Sequence, residues 1–177
     1  INMESATAHP LQALADAMTI KEYNNKQKPK IVLSWAPHPK PLPHAVANSF
    51  IRMIKNINAE FIITNPDGYD LDPKITKGVK IYSNQDEAFK GADFIYAKNW
   101  CSYENYGKVL RTDDEWIIND EKMNYTNNAK FMHCLPIRRN VVASDDVLDD
   151  KNSLVMIQSR NRVFSTQAIL KQIIDDE

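Results

Sequence analysis

The chain has 177 residues, of which 43% are hydrophobic and 25% charged, so it is long enough to bury a substantial core. A formal net charge of -1 excludes a bulk electrostatic attraction to nucleic acid or to an anionic membrane. Two cysteines are too few for a disulfide framework, and no apolar run is long enough to cross a bilayer, so we expect a cytoplasmic protein. Because Ile1 is not a natural initiator residue, we expect a fragment of a longer chain.

The first half of the chain alternates helical and extended patterns. Hydrophobic spacing and turn residues predict a helix over residues 9–23, a strand over 30–35, a helix over 45–56 and a strand over 60–64. In the first helix, Pro10 suits the opening turn, and His9 and Gln12 share one face at the positive end. The pair predicts a polar site there, and a helix cap with a chance pairing is the alternative.

The second half continues the alternation. Its predicted elements are strands over residues 79–83, 93–97, 131–135 and 154–158, helices over 85–90, 119–124 and 161–174, and a helical turn over 145–149. Strands that alternate with helices favour an α/β fold with right-handed crossovers. We therefore predict a doubly wound, mainly parallel sheet of about five or six strands with helices on both faces.

Two loops at predicted strand ends are candidates for binding. Residues 36–43 contain four prolines, which makes this loop a rigid support for His38, although a simple stiff connector has the same spacing. Lys98 ends a strand, and the aromatic and polar residues 99–107 follow it. This second segment is interpreted as a substrate-facing loop, with a loop pinned by its own aromatic side chains as the alternative.

The densest chemistry lies in residues 132–140, which carry an imidazole, a thiol and two guanidinium groups. Pro136 ends the predicted strand, so Arg138 and Arg139 would project from its carboxyl edge, where α/β sheets bind ligands. Two guanidinium groups there predict an anionic or carbonyl-bearing ligand, and surface arginines are the alternative. Cys134 is either an activated nucleophile or a small core residue. Zinc is disfavoured because adjacent strand residues point to opposite faces.

Several common motifs are absent. With four glycines, the chain has neither a dinucleotide fingerprint after a strand nor a phosphate-binding P-loop, and it has no Gly-x-Ser-x-Gly elbow. No cofactor is therefore predicted.

Two segments carry a family resemblance. Residues 4–16 (ESATAHPLQALAD) and 133–140 (HCLPIRRN) resemble the two motifs of the second half of a transcarbamylase, with the family's spacing. Residues 35–43, 96–100, 126–129 and 161–162 are similar to the N-acylornithine branch, and within it to the members that act on N-succinylornithine. The resemblance covers nearly the whole chain.

The resemblance implies transfer of the carbamoyl group of carbamoyl phosphate to the side-chain amine of an N-acylated ornithine, without a protein nucleophile or a metal. It implies two groups of site residues: His9, Gln12, Cys134 and Arg138 for catalysis, and Glu4, Lys98, Leu135 and Arg162 for substrate binding. A homotrimer is implied for the full-length protein, with no nucleic-acid or membrane partner. N-acetylornithine and ornithine are the alternative amine substrates.

The resemblance also implies a domain organisation. Residues 1–26 would form an interdomain helix region, 27–160 the ornithine-side domain, and 161–177 a helix that returns to a carbamoyl-phosphate domain. No Ser-x-Arg-Thr-Arg phosphate loop is present, so the chain alone is expected to be inactive. Gln158 replaces an acidic residue that the family often has at this position. A non-catalytic α/β binding module, or a redox or metal protein built on Cys101 and Cys134, are the alternatives.

Overall fold

The computed structural model describes residues 2–175. In chain order the elements are α1 (Pro10–Tyr23), β1 (Lys30–Trp35), α2 (Ala45–Ile54), β2 (Glu60–Thr64), α3 (Pro73–Thr76), β3 (Lys80–Tyr82), α4 (Gln85–Phe89), β4 (Phe94–Lys98), α5 (Asp120–Met123), β5 (Lys130–Met132), α6 (Asp145–Asp149) and α7 (Val155–Asp175). The predicted alternation of strands and helices is confirmed. The short helix α3 was not predicted; Asp72 caps it by accepting a hydrogen bond from the Lys74 backbone N–H.

The strands form one parallel sheet in the order β3-β2-β1-β4-β5. The order runs outward in both directions from β1, so the chain changes direction between β1 and β4. Trp35 and Lys98, the last residues of these two strands, are paired in register. In such a sheet the crevice beyond the carboxyl ends of the two strands is the expected ligand site.

Two hydrophobic clusters lie on opposite faces of the sheet. Along β1, Ile31, Leu33 and Trp35 belong to one cluster and Val32 to the other, as expected when successive side chains alternate in direction. Helix α2 contributes Phe50 to the first cluster, where its ring stacks on Tyr96 with centroids 4.3 Å apart. Residues of α4 and α6 fill the second cluster. Helices therefore cover both faces, which confirms the predicted layering.

Two strand predictions need correction. The predicted sixth strand, residues 154–158, is wrong, because Val155 begins α7 and the sheet has five strands among the described residues. The run Leu154-Val155-Met156-Ile157 is apolar, and a short apolar run fits a buried helix turn as well as a strand. The fifth strand ends at Met132 rather than at residue 135, since the His133 backbone N–H donates to the Gln158 side chain instead of a neighbouring strand.

Helix α7 packs along α1. The hydroxyl of Ser165 donates to the Leu11 carbonyl at 3.0 Å, and the Asn161 side chain donates to Thr19 Oγ1 at 3.0 Å. On its outer side α7 exposes Met156, Val163, Phe164, Leu170, Ile173 and Ile174. The helix continues without a break across residues 160 and 161, so Asn161 and Arg162 lie in its second turn rather than at its start. The last two residues of the predicted returning helix, 176–177, lie outside the described part.

No helix within residues 2–175 is both long enough and apolar enough to cross a membrane.

Candidate active site

A cavity of about 450 Å³ lies beyond the carboxyl ends of β1 and β4. Its lining includes all eight residues predicted from the sequence: Glu4, His9, Gln12, Lys98, Cys134, Leu135, Arg138 and Arg162. The wall is completed by His38, Asn99, His133, Pro136 and Val142 and by an apolar patch of Leu42, Pro43, Ala45 and Val46. Two other surface cavities of about 430 Å³ contain none of the eight. The structure thus brings together residues from the two ends and the middle of the chain.

Helix α1 presents His9 and Gln12 to the cavity from its amino end. His9 occupies the N-cap position, and its backbone N–H donates to Ser49 Oγ at 2.7 Å, which attaches this end of the helix to α2. The His9 ring lies 3.7 Å from the Glu4 carboxylate. Burial lowers the pKa of His9, although the Glu4 charge acts in the opposite direction. A neutral imidazole that donates one hydrogen bond is therefore the expected form at neutral pH.

The Gln12 side chain is held in one orientation. Its Nε2 donates to Asp16 Oδ1 at 2.6 Å, one turn along the helix, and its Oε1 accepts from Arg162 Nη1 at 2.5 Å. The amide nitrogen is thereby bound to a buried carboxylate, and the oxygen is bound to Arg162, which also lines the cavity. His9 and Gln12 thus both line the cavity from the amino end of α1, as predicted, and Arg162 of α7 contacts Gln12 there.

Asp16 was not singled out by the sequence reasoning. It is fully buried, and its Oδ1 accepts hydrogen bonds from Gln12 and from Gln158 Nε2, both at 2.6 Å. Burial raises the pKa of Asp16 to about 7, against the lowering effect of these two donors. An acidic residue one turn after Gln12 on the buried face of an otherwise apolar helix was the available signal.

Gln158 links α1 to the loop that follows β5. Its Oε1 accepts from the His133 backbone N–H at 2.9 Å while its Nε2 donates to Asp16. An amide can accept and donate at once, which a carboxylate cannot do. The departure from the family pattern noted at this position therefore has a structural role in this chain.

The loop after β5 turns sharply at Leu135 and Pro136. Leu135 has a positive φ of 52°, the Leu135-Pro136 peptide bond is cis, and both residues line the cavity. Burial raises the pKa of the neighbouring Cys134 thiol. The thiol is thus protonated at neutral pH, which favours a positioning role over that of a nucleophile.

The two neighbouring arginines diverge. Arg138 lines the cavity, and its Nε donates to His38 Nε2 at 3.3 Å. Arg139 is directed away and pairs with Asp145 and Asp149 of α6. The prediction that both guanidinium groups face a ligand is correct for Arg138 and wrong for Arg139, because two carboxylates on α6 hold the second one.

The segment 99–107 contributes less to the cavity than predicted. Asn99 lines the wall, and its side chain donates to the Ala36 carbonyl at 2.8 Å. Trp100 is fully buried, and its ring N–H donates to the Tyr69 carbonyl at 2.7 Å. The rings of Tyr103 and Tyr106 lie near His44. The alternative interpretation, a loop pinned by its aromatic side chains, fits Trp100, whereas Tyr103 and Tyr106 are about half exposed.

The lining carries a positive charge. Lys98, Arg138 and Arg162 face a single carboxylate, that of Glu4. Because the low-dielectric walls weaken screening, these cations favour an anionic ligand. Within residues 2–175 no group of three or more His, Cys, Asp or Glu side chains is arranged to hold a metal ion, and Cys101 and Cys134 are free thiols.

The fold and the cavity define an α/β domain with a positively charged ligand site at the carboxyl edge of its sheet, and the comparisons specify its family. Residues 43–173 match the family model for the Asp/Orn-binding domain of aspartate/ornithine carbamoyltransferase, so the chain belongs to this family. It is 49% identical over 177 residues to the N-succinylornithine carbamoyltransferase of Bacteroides fragilis, covering 99% of this chain and 56% of that protein. It is 36% identical to the N-acetylornithine carbamoyltransferase of Xanthomonas axonopodis pv. citri, covering 96% and 55%.

The solved structures that match lead to the same branch of the family. A mutant N-acetyl-L-ornithine transcarbamylase complexed with carbamyl phosphate and N-succinyl-L-norvaline has a TM-score of 0.89 and 34% identity, covering 96% of this chain and 57% of that one. Acetylornithine transcarbamylase complexed with acetylcitrulline has a TM-score of 0.87 and 33% identity, with the same coverage. This chain spans about half the length of the relatives that it matches.

Proposed function

We propose that the protein containing this chain is a carbamoyltransferase of arginine biosynthesis. It would transfer the carbamoyl group of carbamoyl phosphate to the side-chain amine of N-succinyl-L-ornithine, giving N-succinyl-L-citrulline and phosphate. One observation carries the proposal: the eight residues implied by the family resemblance surround one positively charged cavity at the carboxyl edge of the sheet. The 49% identity to N-succinylornithine carbamoyltransferases supports the choice of acyl group.

The proposed division of labour follows from the donors and acceptors in the cavity. The Gln12 oxygen accepts an N–H of the carbamoyl amide, since its nitrogen is bound to Asp16. The His9 ring donates to the carbamoyl oxygen, and Arg138 stabilises the charge that develops on this oxygen when the amine attacks. Such donors are most effective when they are already in place before the charge forms.

The amine nitrogen forms a bond to the carbamoyl carbon, and the bond from this carbon to the phosphate oxygen then breaks. The Leu135 carbonyl accepts a hydrogen bond from the carbamoyl nitrogen, and the protonated Cys134 thiol positions the attacking amine. Glu4, Lys98 and Arg162 bind the amino-acid end of the second substrate. The amine gives up one proton, which the departing phosphate takes.

We further propose that residues 27–160 form the ornithine-side domain and that α1 and the returning helix join it to a carbamoyl-phosphate domain. The apolar side chains that α7 exposes support this organisation, since they would be covered in the longer protein. A homotrimer stays a prediction from the resemblance, and a cytoplasmic location stays a prediction from the composition.

The test joins this chain to the carbamoyl-phosphate half of the Bacteroides fragilis relative and measures citrulline-type products. Arg138→Gln is expected to lower the rate by about 100-fold or more, because it removes the cation beside the developing oxyanion. Arg139→Gln is the matched control, since Arg139 faces α6, and its rate should stay near that of the parent. Failure to carbamoylate any ornithine derivative, or equal rates for both variants, would refute the proposal.

N-acetylornithine is the second candidate substrate, because the structural matches include N-acetyl-L-ornithine transcarbamylases. Rates measured side by side with N-succinylornithine, N-acetylornithine and ornithine decide between them. A chain that binds these amines but transfers nothing to any of them would instead be a non-catalytic binding module.

A further inference from the structure

His133 lies at the wall of the candidate active site, and none of the assigned roles involves its side chain. It follows the last residue of β5 directly, and its backbone N–H is bound to Gln158. The residue is 3% exposed and lines the cavity. A buried histidine is usually satisfied at both ring nitrogens, so the partners of each nitrogen decide what it can do.

The hydrogen bonds determine the tautomer. The Leu135 backbone N–H donates to His133 Nδ1 at 3.0 Å, so Nδ1 carries a lone pair and, in the neutral ring, the proton is on Nε2. Burial lowers the pKa of His133 to about 3, and the nearby charge of Lys98 acts in the same direction. The ring is therefore neutral throughout the physiological range, with one fixed acceptor and one fixed donor.

The donor lacks a partner in the part of the chain that the structure describes. None of residues 2–175 accepts a hydrogen bond from Nε2, whereas Nδ1 is satisfied by Leu135. His133 Nε2 is not among the unpartnered side-chain atoms that are sealed from solvent, so it is accessible from the cavity, and a ligand there can accept its hydrogen bond. Since His133 lines the cavity, Nε2 is the ring atom available to a bound molecule.

The position of Lys98 indicates which part of the ligand meets this donor. In the sheet, Tyr96 of β4 is paired with Met132 of β5, so the next residues along these strands are Ala97 and His133. Lys98, which follows Ala97, lines the same cavity, and its charge acts on the His133 ring. A neutral N–H beside an ammonium group suits the two oxygens of one carboxylate, since each oxygen can accept a separate hydrogen bond.

We propose that His133 Nε2–H is a substrate-binding donor that, together with Lys98, holds the α-carboxylate of the N-acylated ornithine. This inference rests on the proposed function, and it adds a binding residue that the motif comparison did not assign. The hydrogen bond from the Leu135 backbone N–H to His133 Nδ1 thus has two effects: it stabilises the turn at Leu135, and it leaves the ring proton of His133 on Nε2.

Two substitutions separate the two ring nitrogens. In His133→Asn the amide oxygen takes the place of Nδ1 and keeps the acceptor for Leu135, but the donor at Nε2 is lost. In His133→Gln the longer side chain puts its amide nitrogen near the place of Nε2 and keeps the donor. His44→Asn is the matched control, because His44 is a buried histidine outside the cavity whose Nε2 is bound to the Cys101 carbonyl at 2.8 Å.

The 177-residue chain is titrated with N-succinyl-L-ornithine and with its α-carboxamide analogue, and binding is followed by NMR. We expect His133→Asn to weaken binding of the carboxylate by about tenfold, and His133→Gln and His44→Asn to change it by less than about threefold. The α-carboxamide analogue should bind the parent chain more weakly than N-succinyl-L-ornithine does, and its affinities for the parent and for His133→Asn should be nearly equal. Ring ¹⁵N spectra of the free parent chain should show that the His133 ring is protonated at Nε2 only.

The outcomes separate the two proposals. Equal affinity of His133→Asn and the parent, or a proton on Nδ1 of the free protein, overturns the role of His133 and leaves the proposed function intact. If the chain joined to its carbamoyl-phosphate half carbamoylates neither N-succinyl-L-ornithine nor N-acetyl-L-ornithine, the proposed function fails and this inference fails with it. Unfolding midpoints of all variants, measured in parallel, show whether a weaker affinity reflects a damaged fold.

Discussion

The buried carboxyl of Asp16 makes the stability of the domain depend on pH in an unusual direction. Burial raises the pKa of Asp16 from its ordinary value of 3.8 to about 7. Below pH 3.8 the group is protonated in both the folded and the unfolded chain. Between the two values the unfolded chain loses the proton and the folded chain keeps it, so each rise in pH favours unfolding. Above about pH 7 the carboxyl is ionised in both states, and the loss of folding free energy that Asp16 causes has reached its full size.

The magnitude follows from the interval between the two pKa values. It spans about three pH units, and each unit corresponds to about 1.4 kcal/mol, so the upper limit is about 4 kcal/mol. His133 acts in the opposite direction, because burial lowers the pKa of its ring to about 3 and low pH therefore favours the unfolded chain. Between about pH 4 and pH 6.5 the effects of Asp16 and His133 on the free energy of unfolding oppose each other. The pH profile of the parent protein alone therefore does not isolate Asp16, and a comparison between two proteins is needed.

Asp16→Asn isolates the effect. The asparagine keeps an oxygen for Gln12 and Gln158 but cannot ionise. Its new amide group replaces Oδ2, which has no hydrogen-bond partner among residues 2–175, and this adds a cost of about 1–3 kcal/mol that does not vary with pH. Relative to the parent, the free energy of unfolding of the variant should increase by up to about 4 kcal/mol between pH 4 and pH 8.

The assay is urea unfolding followed by circular dichroism at several pH values, with linear extrapolation to water. Asp93→Asn is the control. Although burial acts in the opposite direction, hydrogen bonds from Lys26 and Asn127 hold the pKa of Asp93 below its usual range, so its difference from the parent should be constant above pH 5. A constant difference between Asp16→Asn and the parent from pH 4 to pH 8 would refute the reasoning.

Two further predictions concern the same site. Gln158→Glu places a second carboxyl beside Asp16, so the pair can stay neutral only by holding two protons. The free energy of unfolding of the variant should be lower than that of the parent by about 1–3 kcal/mol at pH 8 and close to it at pH 5. An equal loss at both pH values contradicts this. In the proposed reaction the protonated thiol positions the amine, so Cys134→Ser in the chain joined to its carbamoyl-phosphate half should lower kcat by about 10-fold to 100-fold without abolishing turnover. Complete loss of carbamoyl transfer would indicate a covalent role.

Local patterns were sufficient to predict most of the fold. Short apolar runs predicted β1 and β2 with the observed bounds. The helix predicted over residues 85–90 is α4, and the Asn84 side chain caps it by accepting from the Glu87 backbone N–H. The error at residues 154–158 arose because a short apolar run fits a buried helix turn as well as a strand, and the contacts of Gln158 leave no local signal in the sequence. Its partners, Asp16 and the His133 backbone, are distant in sequence, and only the folded chain brings them together.

The candidate site was predictable where residues belong to a motif, and less so where packing decides. Arg138 and Arg139 are adjacent and chemically equal, and only the carboxylates of α6 show which of them faces the cavity. Trp100 resembles a ligand-facing aromatic in the sequence, but the Tyr69 carbonyl in the core accepts its ring N–H. Tertiary contacts of this kind have no periodicity for sequence reasoning to detect.

The pairing of α1 with α7 has a consequence for folding kinetics. The hydrogen bonds from Arg162 to Gln12 and from Gln158 to Asp16 join residues 150 and 142 positions apart. Contacts between such distant residues form slowly, because a long loop must close first. During synthesis, the Gln12 side chain therefore cannot take up its final orientation until Arg162, in the last helix of the described chain, has been made. Affinity for the proposed amine substrate should therefore be the last property to appear during folding, which makes ligand binding a sensitive probe of complete folding.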